Sequence, residues 1–227
     1  YRGIYFMKDN DYNFTLSPEE LKTFDHRRDV GGKWNEIGDL QISFMKSQGL
    51  ESSMKFLDIG CGCLRGGRHF INYLKPNHYF GMDCNRQLIE IGRKRELGLN
   101  FWKVSDRSFV VDEYFDFNKF GKIFDSALAF SLFTHLPSHY LKLCLHRLSK
   151  VFRSGSHFYA TFWLCEEDHE YDLPIQQCDD IVPTTSYKDP YHYSLSTIDH
   201  CLNNDWEYSI VECNHPRKQK MLCFLKK

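Results

Sequence analysis

The stretch "FLDIGCGCLRGGRHF" at residues 56–70 constrains the fold more than any other part of the sequence. A short apolar run is followed by a group of glycines. After them comes a basic segment that has apolar residues at helical spacing. Glycines at a strand-to-helix turn let the backbone bend tightly and let a ligand lie against it. The first N–H groups of the following helix have no partner within the helix and attract an anion. The stretch therefore predicts a strand, a ligand-binding turn and a helix.

Strands and helices continue to alternate after this unit. Further strands are predicted within 78–83, 99–105, 122–133 and 154–164, and helices within 85–98, 137–152 and 197–206. Two final strands, within 206–214 and 220–227, are joined by a link too short for a crossover helix, so they must run antiparallel. This order predicts the α/β class, with a doubly wound, mostly parallel seven-stranded sheet that ends in an antiparallel C-terminal hairpin.

The length of the chain predicts one domain, 1–227, because 227 residues with 42% hydrophobic content can bury a sizeable core. A helix start at 16–21, with Ser17 as the cap, and an amphipathic helix at 33–47 predict a helical cap over residues 1–50. The core is expected at 51–227. The polar, irregular stretch 165–192 within it is predicted to be a substrate loop, since long loops are usually functional.

The composition argues against several classes of protein. The formal net charge is −1 and there is no basic excess, so a nucleic-acid partner is not expected. No apolar run reaches the roughly 18 residues of a membrane span. The nine cysteines have no regular spacing, which predicts neither a disulfide framework nor a metal site and favours a reducing, cytoplasmic location. We therefore expect a small-molecule partner, with no nucleic acid and no membrane.

Two carboxylates narrow the choice of ligand. Asp83 ends the next predicted strand, where a carboxylate can bind a pair of ribose hydroxyls. Both a dinucleotide and an adenosyl cofactor satisfy that pattern. However, Gly60, Gly62 and Gly66 depart from the strict G-x-G-x-x-G spacing, and Asp58 is an unfavourable neighbour for a pyrophosphate. An acid at this position suits a cofactor that carries an ammonium and a sulfonium.

The sequence resembles the class I S-adenosylmethionine-dependent methyltransferases from about residue 54 to its last residue. The resemblance rests on "LDIGCG" at 57–62, on Asp83, on "FDSALAFSLFTHL" at 124–136 and on the terminal hairpin. More narrowly, "HRRDVGGKWNEIGDLQ", "GCGCLRGGRHFINYL", "SLFTHLP" and "HPRKQKMLCF" are similar to small bacterial methyltransferases associated with surface-polysaccharide or secondary-metabolite pathways. One departure is Leu64, which stands where the family usually has its third glycine. The fold implied is the Rossmann-like methyltransferase fold.

The resemblance implies S-adenosyl-L-methionine as the cofactor and assigns a role to each matching position. Asp58, Gly60, Cys61, Gly62 and Arg65 are expected near the methionine end of the cofactor. Asp83 is expected at the ribose, and Ser105 and Asp106 are expected at the adenine. Phe130 and Ser131 are expected near the sulfur. Trp34 and Gln41 are expected to close over the site from the preceding helix. Core packing is the alternative for Trp34, and a solvated loop position is the alternative for Arg65.

Methyl transfer to a hydroxyl needs a group that removes the proton, and histidine titrates near neutrality. His135 in "FTHLP" is the leading candidate, with helix capping as its alternative role. His192 and Tyr193 in "DPYHYS" form a second candidate catalytic group, and Arg217 suits an anionic substrate. The predicted function is methyl transfer to a small molecule, in particular a hydroxyl of a sugar or related metabolite. The alternatives are an NAD(P)-dependent oxidoreductase and a non-catalytic cofactor-binding module.

Overall fold

The computed structural model describes residues 12, 14–29, 31–179 and 181–227, and it contains the predicted alternation of strands and helices. Its helices are α1 (Pro18–Thr23), α2 (His26–Asp29), α3 (Trp34–Ser47), α4 (Gly67–Tyr73), α5 (Arg86–Glu96), α6 (Ser138–Leu148) and α7 (Leu195–Cys201). Its strands are β1 (Phe56–Ile59), β2 (Tyr79–Asp83), β3 (Phe109–Val111), β4 (Phe124–Ala129), β5 (Phe152–Leu164), β6 (His192–Tyr193), β7 (Trp206–Val211) and β8 (Lys220–Lys226). Part of the predicted cap, residues 1–11, lies outside the described residues. The division into a cap and a core of one domain stays a prediction.

Seven strands form the sheet in the order β3-β2-β1-β4-β5-β8-β7. Strands β1 to β5 pair in parallel, whereas β8 runs antiparallel between β5 and β7. The predicted doubly wound, mostly parallel sheet with an antiparallel C-terminal hairpin is therefore confirmed. The two-residue β6 is an addition that pairs in parallel with the end of β5.

Helices cover both faces of this sheet because successive residues of each strand point to opposite sides. Leu57 of β1 packs in one core cluster with Leu141 of α6. Its neighbour Phe56 packs in a second cluster with Ile37 of α3 and Phe70 of α4. Among the described helices, none is both long enough and apolar enough to cross a membrane.

The third strand is not where the sequence pattern predicted it. Residues 99–105 were expected to form it, but Gly98–Lys103 is a 3-10 helix and the strand begins at Phe109. The apolar side chains that suggested a strand, Phe101 and Trp102, are exposed to solvent. Gly98, at φ +47°, turns the chain directly after α5. The 3-10 helix that follows does not pair with the sheet, although Val104 just after it is buried in the core.

Candidate active site

A cavity of about 570 Å³, which we call the large cavity, lies at the carboxyl ends of β1, β2, β4 and β5. In an open parallel sheet this is the usual ligand position, where the strand order reverses between β1 and β4. The predicted site residues that line it are Gly60, Gly62, Arg65, Asp83, Ser131 and His135. The structure therefore brings these six residues together at one cavity, most of whose wall comes from residues that were not predicted.

A second cavity of about 60 Å³, which we call the small cavity, lies on the other side of the glycine turn. Three residues, Gly60, Gly62 and Arg65, line both cavities. The small cavity also brings together the other predicted residues Trp34, Gln41, Asp58, Cys61 and Phe130. The two cavities together hold most of the residues that were predicted to bind the cofactor.

The turn between β1 and α4 requires glycine at its start. Gly60 has φ +75°, and a Cβ atom there would lie 2.9 Å from Cδ1 of Leu132. The N–H groups of Gly60 and Cys61 both donate to the carbonyl of Met82 in β2, at 2.8 and 3.0 Å. Leu64 adopts φ +64° although it has a side chain, so the departure from the family's glycine pattern does not change the handedness of the turn.

Asp83 fixes this turn from the end of β2. Its Oδ2 accepts the N–H of Gly62 at 2.8 Å, and its Oδ1 accepts the N–H of Asn85 at 2.8 Å. Burial raises the pKa of Asp83, while the two backbone hydrogen bonds act in the opposite direction. The carboxylate is thus held in one orientation at the wall of the large cavity.

Asp58 is a buried acid whose surroundings disfavour its charge. Burial raises its pKa to about 7, and the hydrogen bond that the Tyr79 hydroxyl donates at 2.7 Å partly opposes this rise. The charge of Asp83 raises the pKa further, and Arg65 lowers it. A cation in the small cavity would restore the ionised form of Asp58.

Two arginines form the positive part of the cavity walls. Arg65 donates from Nη1 to the carbonyl of Gly32 at 3.2 Å, and Arg217 donates from Nη1 to the carbonyl of Gly31 at 3.0 Å. Burial and the charge of Arg217 lower the pKa of Arg65 to about 10. An anion placed beside Arg65 would offset both effects.

His135 lies in the large cavity within a group of three side chains. Its Nδ1 is 2.8 Å from Oδ1 of Asp189 and 2.6 Å from the Tyr12 hydroxyl, which donates to Oδ2 of Asp189 at 2.9 Å. An ionised carboxylate can only accept hydrogen bonds, so we assign the proton of the neutral imidazole to Nδ1. The other ring nitrogen, Nε2, then has a lone pair that can accept a proton.

Sequence reasoning missed Tyr12 and Asp189. They lie 123 and 54 residues from His135, and neither belongs to a motif that includes it. The only signal was the segment "DPYHYS", which begins with Asp189 but drew attention to the histidine and tyrosines that follow.

The structure corrects the predicted catalytic role of His192 and Tyr193. Each is 1% exposed, and neither lines the large or the small cavity. The ring nitrogens of His192 lie 2.9 Å from Thr184 Oγ1 and 2.8 Å from the carbonyl of Tyr171. The hydroxyl of Tyr193 donates to the carbonyl of Leu136 at 2.6 Å. Both side chains are structural, because β6 pairs with β5 and turns them into the protein.

Ser105 and Asp106 are also displaced from their predicted position, because the third strand lies after them. The side chain of Asp106 is 93% exposed and forms an ion pair with Arg93 at 2.8 Å. Neither residue lines the two cavities. The residue that follows β3 is instead Asp112, which lines the large cavity together with Glu113.

The segment around Tyr12 is held across the large cavity by Asn85. The Oδ1 of Asn85 caps α5 by accepting the N–H groups of Gln87 and Leu88, while its Nδ2 donates to the carbonyls of Tyr12 and Phe14 at 3.0 and 2.9 Å. Gln87 forms two further hydrogen bonds with the backbone of Leu16. Among the described residues, no group of three or more His, Cys, Asp or Glu side chains is placed to bind a metal ion.

Comparison with known proteins gives structural matches only. No protein-family model matches the chain, and no curated protein matches its sequence. One similar structure is S-adenosylmethionine-bound CalS10, an amino pentose methyltransferase from Micromonospora echinaspora, with 12% identity, a TM-score of 0.63, and coverage of 95% of this chain and 99% of that one.

Two further structures are similar over most of their length. A S-adenosylmethionine-dependent methyltransferase from Aquifex aeolicus has 17% identity and a TM-score of 0.60, with coverage of 93% and 98% of the two chains. Magnesium protoporphyrin IX methyltransferase from Synechocystis, with bound S-adenosylhomocysteine, has 12% identity and a TM-score of 0.60, with coverage of 94% and 89%. The chain therefore has the Rossmann-like fold of these methyltransferases.

Proposed function

We propose that the protein transfers a methyl group from S-adenosylmethionine to a small-molecule acceptor, specifically to a hydroxyl of a sugar or a related metabolite. One observation carries the proposal. A small cavity that contains Asp58 and Arg65 adjoins, through the glycine turn, a large cavity that contains Asp83 and His135. In this proposal Asp58 and Arg65 bind the amino-acid end of the cofactor, Asp83 binds its ribose, and His135 is the base.

The charges of the small cavity fit the methionine end of the cofactor. Burial raises the pKa of Asp58 to about 7, so a nearby cation would favour its ionised form, and an anion beside Arg65 would offset the burial that lowers the pKa of that guanidinium. An α-amino acid supplies both charges, because its ammonium and its carboxylate are attached to the same carbon atom. The pyrophosphate of a dinucleotide supplies only negative charge, which Asp58 would repel, so the geometry favours the adenosyl cofactor over NAD(P).

His135 is the proposed base. S-adenosylmethionine supplies, when bound, a methyl carbon that is activated by a positively charged sulfur. Nε2 of His135 accepts the proton of the acceptor hydroxyl, and the Nδ1–H bond to Asp189 stabilises the imidazolium that results. Such general-base catalysis contributes about 10²- to 10⁴-fold to the rate.

The class of methyl acceptor is proposed from the histidine in the site and from the net charge of the chain. A histidine base suits a hydroxyl, and the net charge of −1 lacks the basic excess that is usual in proteins that bind nucleic acid. The CalS10 structure, described as an amino pentose methyltransferase, supports a sugar, whereas the other similar structures include a porphyrin methyltransferase. The acceptor proposal therefore rests mainly on His135 and its partners.

Thermal unfolding with S-adenosylhomocysteine, NAD and NADP tests the cofactor. A ligand at 100 times its Kd stabilises a protein by about 2.7 kcal/mol. For a chain of this length that corresponds to a rise of roughly 5–10 °C in Tm. We expect this rise with S-adenosylhomocysteine alone, and its loss in Asp58→Asn. A rise with NAD or NADP alone would replace the proposal with an oxidoreductase.

The acceptor class is tested by incubating the protein with S-adenosylmethionine labelled in its methyl group. A panel of sugars and nucleotide sugars is compared with amines and RNA, and the labelled product is identified by mass spectrometry. Transfer to a sugar hydroxyl, lost in His135→Gln, is the expected result. Transfer only to amines or RNA would contradict the proposed acceptor while leaving the cofactor in place.

A further inference from the structure

Trp34 has a buried hydrogen-bond donor whose role is not explained by packing. The residue is 7% exposed, and its Nε1 has no hydrogen-bond partner among the residues that the structure describes. A buried donor without an acceptor costs roughly 1–3 kcal/mol. Most buried polar groups are paired, so an unpaired indole N–H beside a cavity indicates that a ligand supplies the acceptor.

The indole is held rigidly at the wall of the small cavity. The guanidinium groups of Arg27 and Arg68 lie 5.9 and 5.7 Å from its ring centroid, and the His26 ring packs against it edge to face. Arg27 and Arg68 both form ion pairs with Glu96, whose side chain is 2% exposed. This cluster joins α2, α4 and α5 around the indole and fixes its position.

The other residues of the small cavity define the group that Trp34 must bind. Asp58 and Arg65 both line this cavity. The carboxylate of Asp58 attracts a cation and repels an anion, whereas the guanidinium of Arg65 attracts an anion. A carboxylate is both a hydrogen-bond acceptor for Trp34 and an anion for Arg65. In an α-amino acid it is also joined through one carbon to an ammonium, which the carboxylate of Asp58 attracts.

We propose that Trp34 is a binding residue for the α-carboxylate at the methionine end of the cofactor, to which its indole N–H donates a hydrogen bond beside Arg65. This inference rests on the proposed function and adds to it the group that Trp34 recognises. It replaces simple core packing as the reason for a tryptophan at this position. Phenylalanine would keep an aromatic ring near Arg27 and Arg68 but has no N–H that could bind the carboxylate.

The test compares two ligands by isothermal titration calorimetry. One is S-adenosylhomocysteine, and the other is its decarboxylated analogue, which keeps the amine and lacks the carboxylate. In Trp34→Phe we expect the Kd of S-adenosylhomocysteine to rise about tenfold or more, because hydrogen bonds to charged groups are the stronger ones. The Kd of the decarboxylated analogue should stay within about twofold of the wild-type value, since it never makes this bond. Trp102→Phe, at an exposed position outside both cavities, is the matched control.

Each outcome decides the proposal. An equal loss of affinity for the two ligands would show that Trp34 only packs. No loss of affinity for either would show that its N–H makes no hydrogen bond. Both results would overturn the proposal but leave the proposed cofactor in place. A folded wild-type protein that binds neither ligand would instead overturn the proposed function, and this inference with it. If Trp34→Phe does not fold, the indole N–H signal of the wild-type protein provides a second readout by NMR. That signal should shift with S-adenosylhomocysteine and not with the analogue, and equal shifts would again contradict the proposal.

Discussion

Asp189 lies 2.8 Å from Nδ1 of His135, although 54 residues separate the two in the sequence. His135 belongs to the turn that follows β4, whereas Asp189 belongs to the irregular stretch between β5 and β6. The orientation of the proposed base thus depends on a segment whose sequence shows no regular pattern. A substitution at Asp189 is therefore expected to alter the orientation of His135.

Asp189→Asn is expected to impair catalysis without impairing cofactor binding. The amide keeps the shape of the carboxylate but no longer stabilises the imidazolium, and it allows the other tautomer of His135. We expect kcat for methyl transfer to fall about 10²- to 10⁴-fold, with an unchanged Kd for S-adenosylhomocysteine. Because the two residues act together, adding His135→Gln should cause little further loss. A fully active Asp189→Asn variant would show that His135 is not the base.

Tyr193→Phe is expected to lower stability and leave catalysis unchanged. The variant removes the hydroxyl that donates to the carbonyl of Leu136, and it leaves that buried carbonyl with one partner fewer. A loss of about 1–3 kcal/mol is expected, at roughly 2–4 °C in Tm for each kcal/mol. The rate of methyl transfer below the new Tm should match the wild type. A large fall in kcat at unchanged Tm would restore the catalytic role that the sequence suggested.

The affinity for S-adenosylhomocysteine is expected to decrease at acidic pH. The pKa of Asp58 in the free protein is raised to about 7 by burial, and only the ionised carboxylate binds an ammonium. Below this pKa the affinity should fall by about tenfold for each pH unit, until the ligand's own groups titrate. Calorimetry between pH 5 and pH 8 measures the slope, and Asp58→Asn should abolish it. A flat profile in the wild-type protein would mean that Asp58 does not bind the ammonium.

The same acid is expected to make the free protein less stable at high pH. A carboxyl whose pKa is raised in the folded state binds more protons there than in the unfolded chain between its two pKa values. Its stabilising contribution is therefore complete below the unfolded pKa and is lost as the pH rises through about 7. Asp58→Asn should raise Tm at pH 8 in the absence of ligand, by roughly 2–4 °C for each kcal/mol gained. A lower Tm at pH 8 would contradict this account.

Asn85→Asp separates the two roles of this side chain. Aspartate caps a helix as well as asparagine does, but it lacks the Nδ2 that donates to the carbonyls of Tyr12 and Phe14. We expect the amide hydrogens of residues 12 and 14–16 to exchange faster. We also expect S-adenosylhomocysteine to dissociate about five- to tenfold faster, which corresponds to the loss of one or two hydrogen bonds.

Two controls belong to this experiment. Gln87→Ala removes the two bonds to Leu16 without adding charge and should act in the same direction. Asn100→Asp, at an exposed pair with Asn72, should have no effect. Unchanged exchange at residues 12 and 14–16 in Asn85→Asp would mean that Asn85 does not hold this segment.

The sequence predicted those parts of the site that depend on short-range order. The glycine turn and Asp58 lie within one motif, and Asp83 ends the next strand, so their meeting follows from the parallel sheet. The positions of Ser105 and Asp106 were wrongly predicted because the segment 99–105 has the composition of a strand but forms a 3-10 helix over most of its length. Tyr12 and Asp189 reach the site through tertiary contacts that no local pattern encodes.

The position of β8 in the sheet affects the order in which the site can form during synthesis. Residues 220–226 are made after every other strand of the sheet, yet they pair between β5 and β7 in its interior. The turn before them carries Arg217, which binds the carbonyl of Gly31 across 186 residues. Until β8 is made, the long edge of β5 has no partner strand. Arg217 lines the large cavity from the link between β7 and β8, so we expect this part of the cavity wall to form last, when the hairpin joins β5.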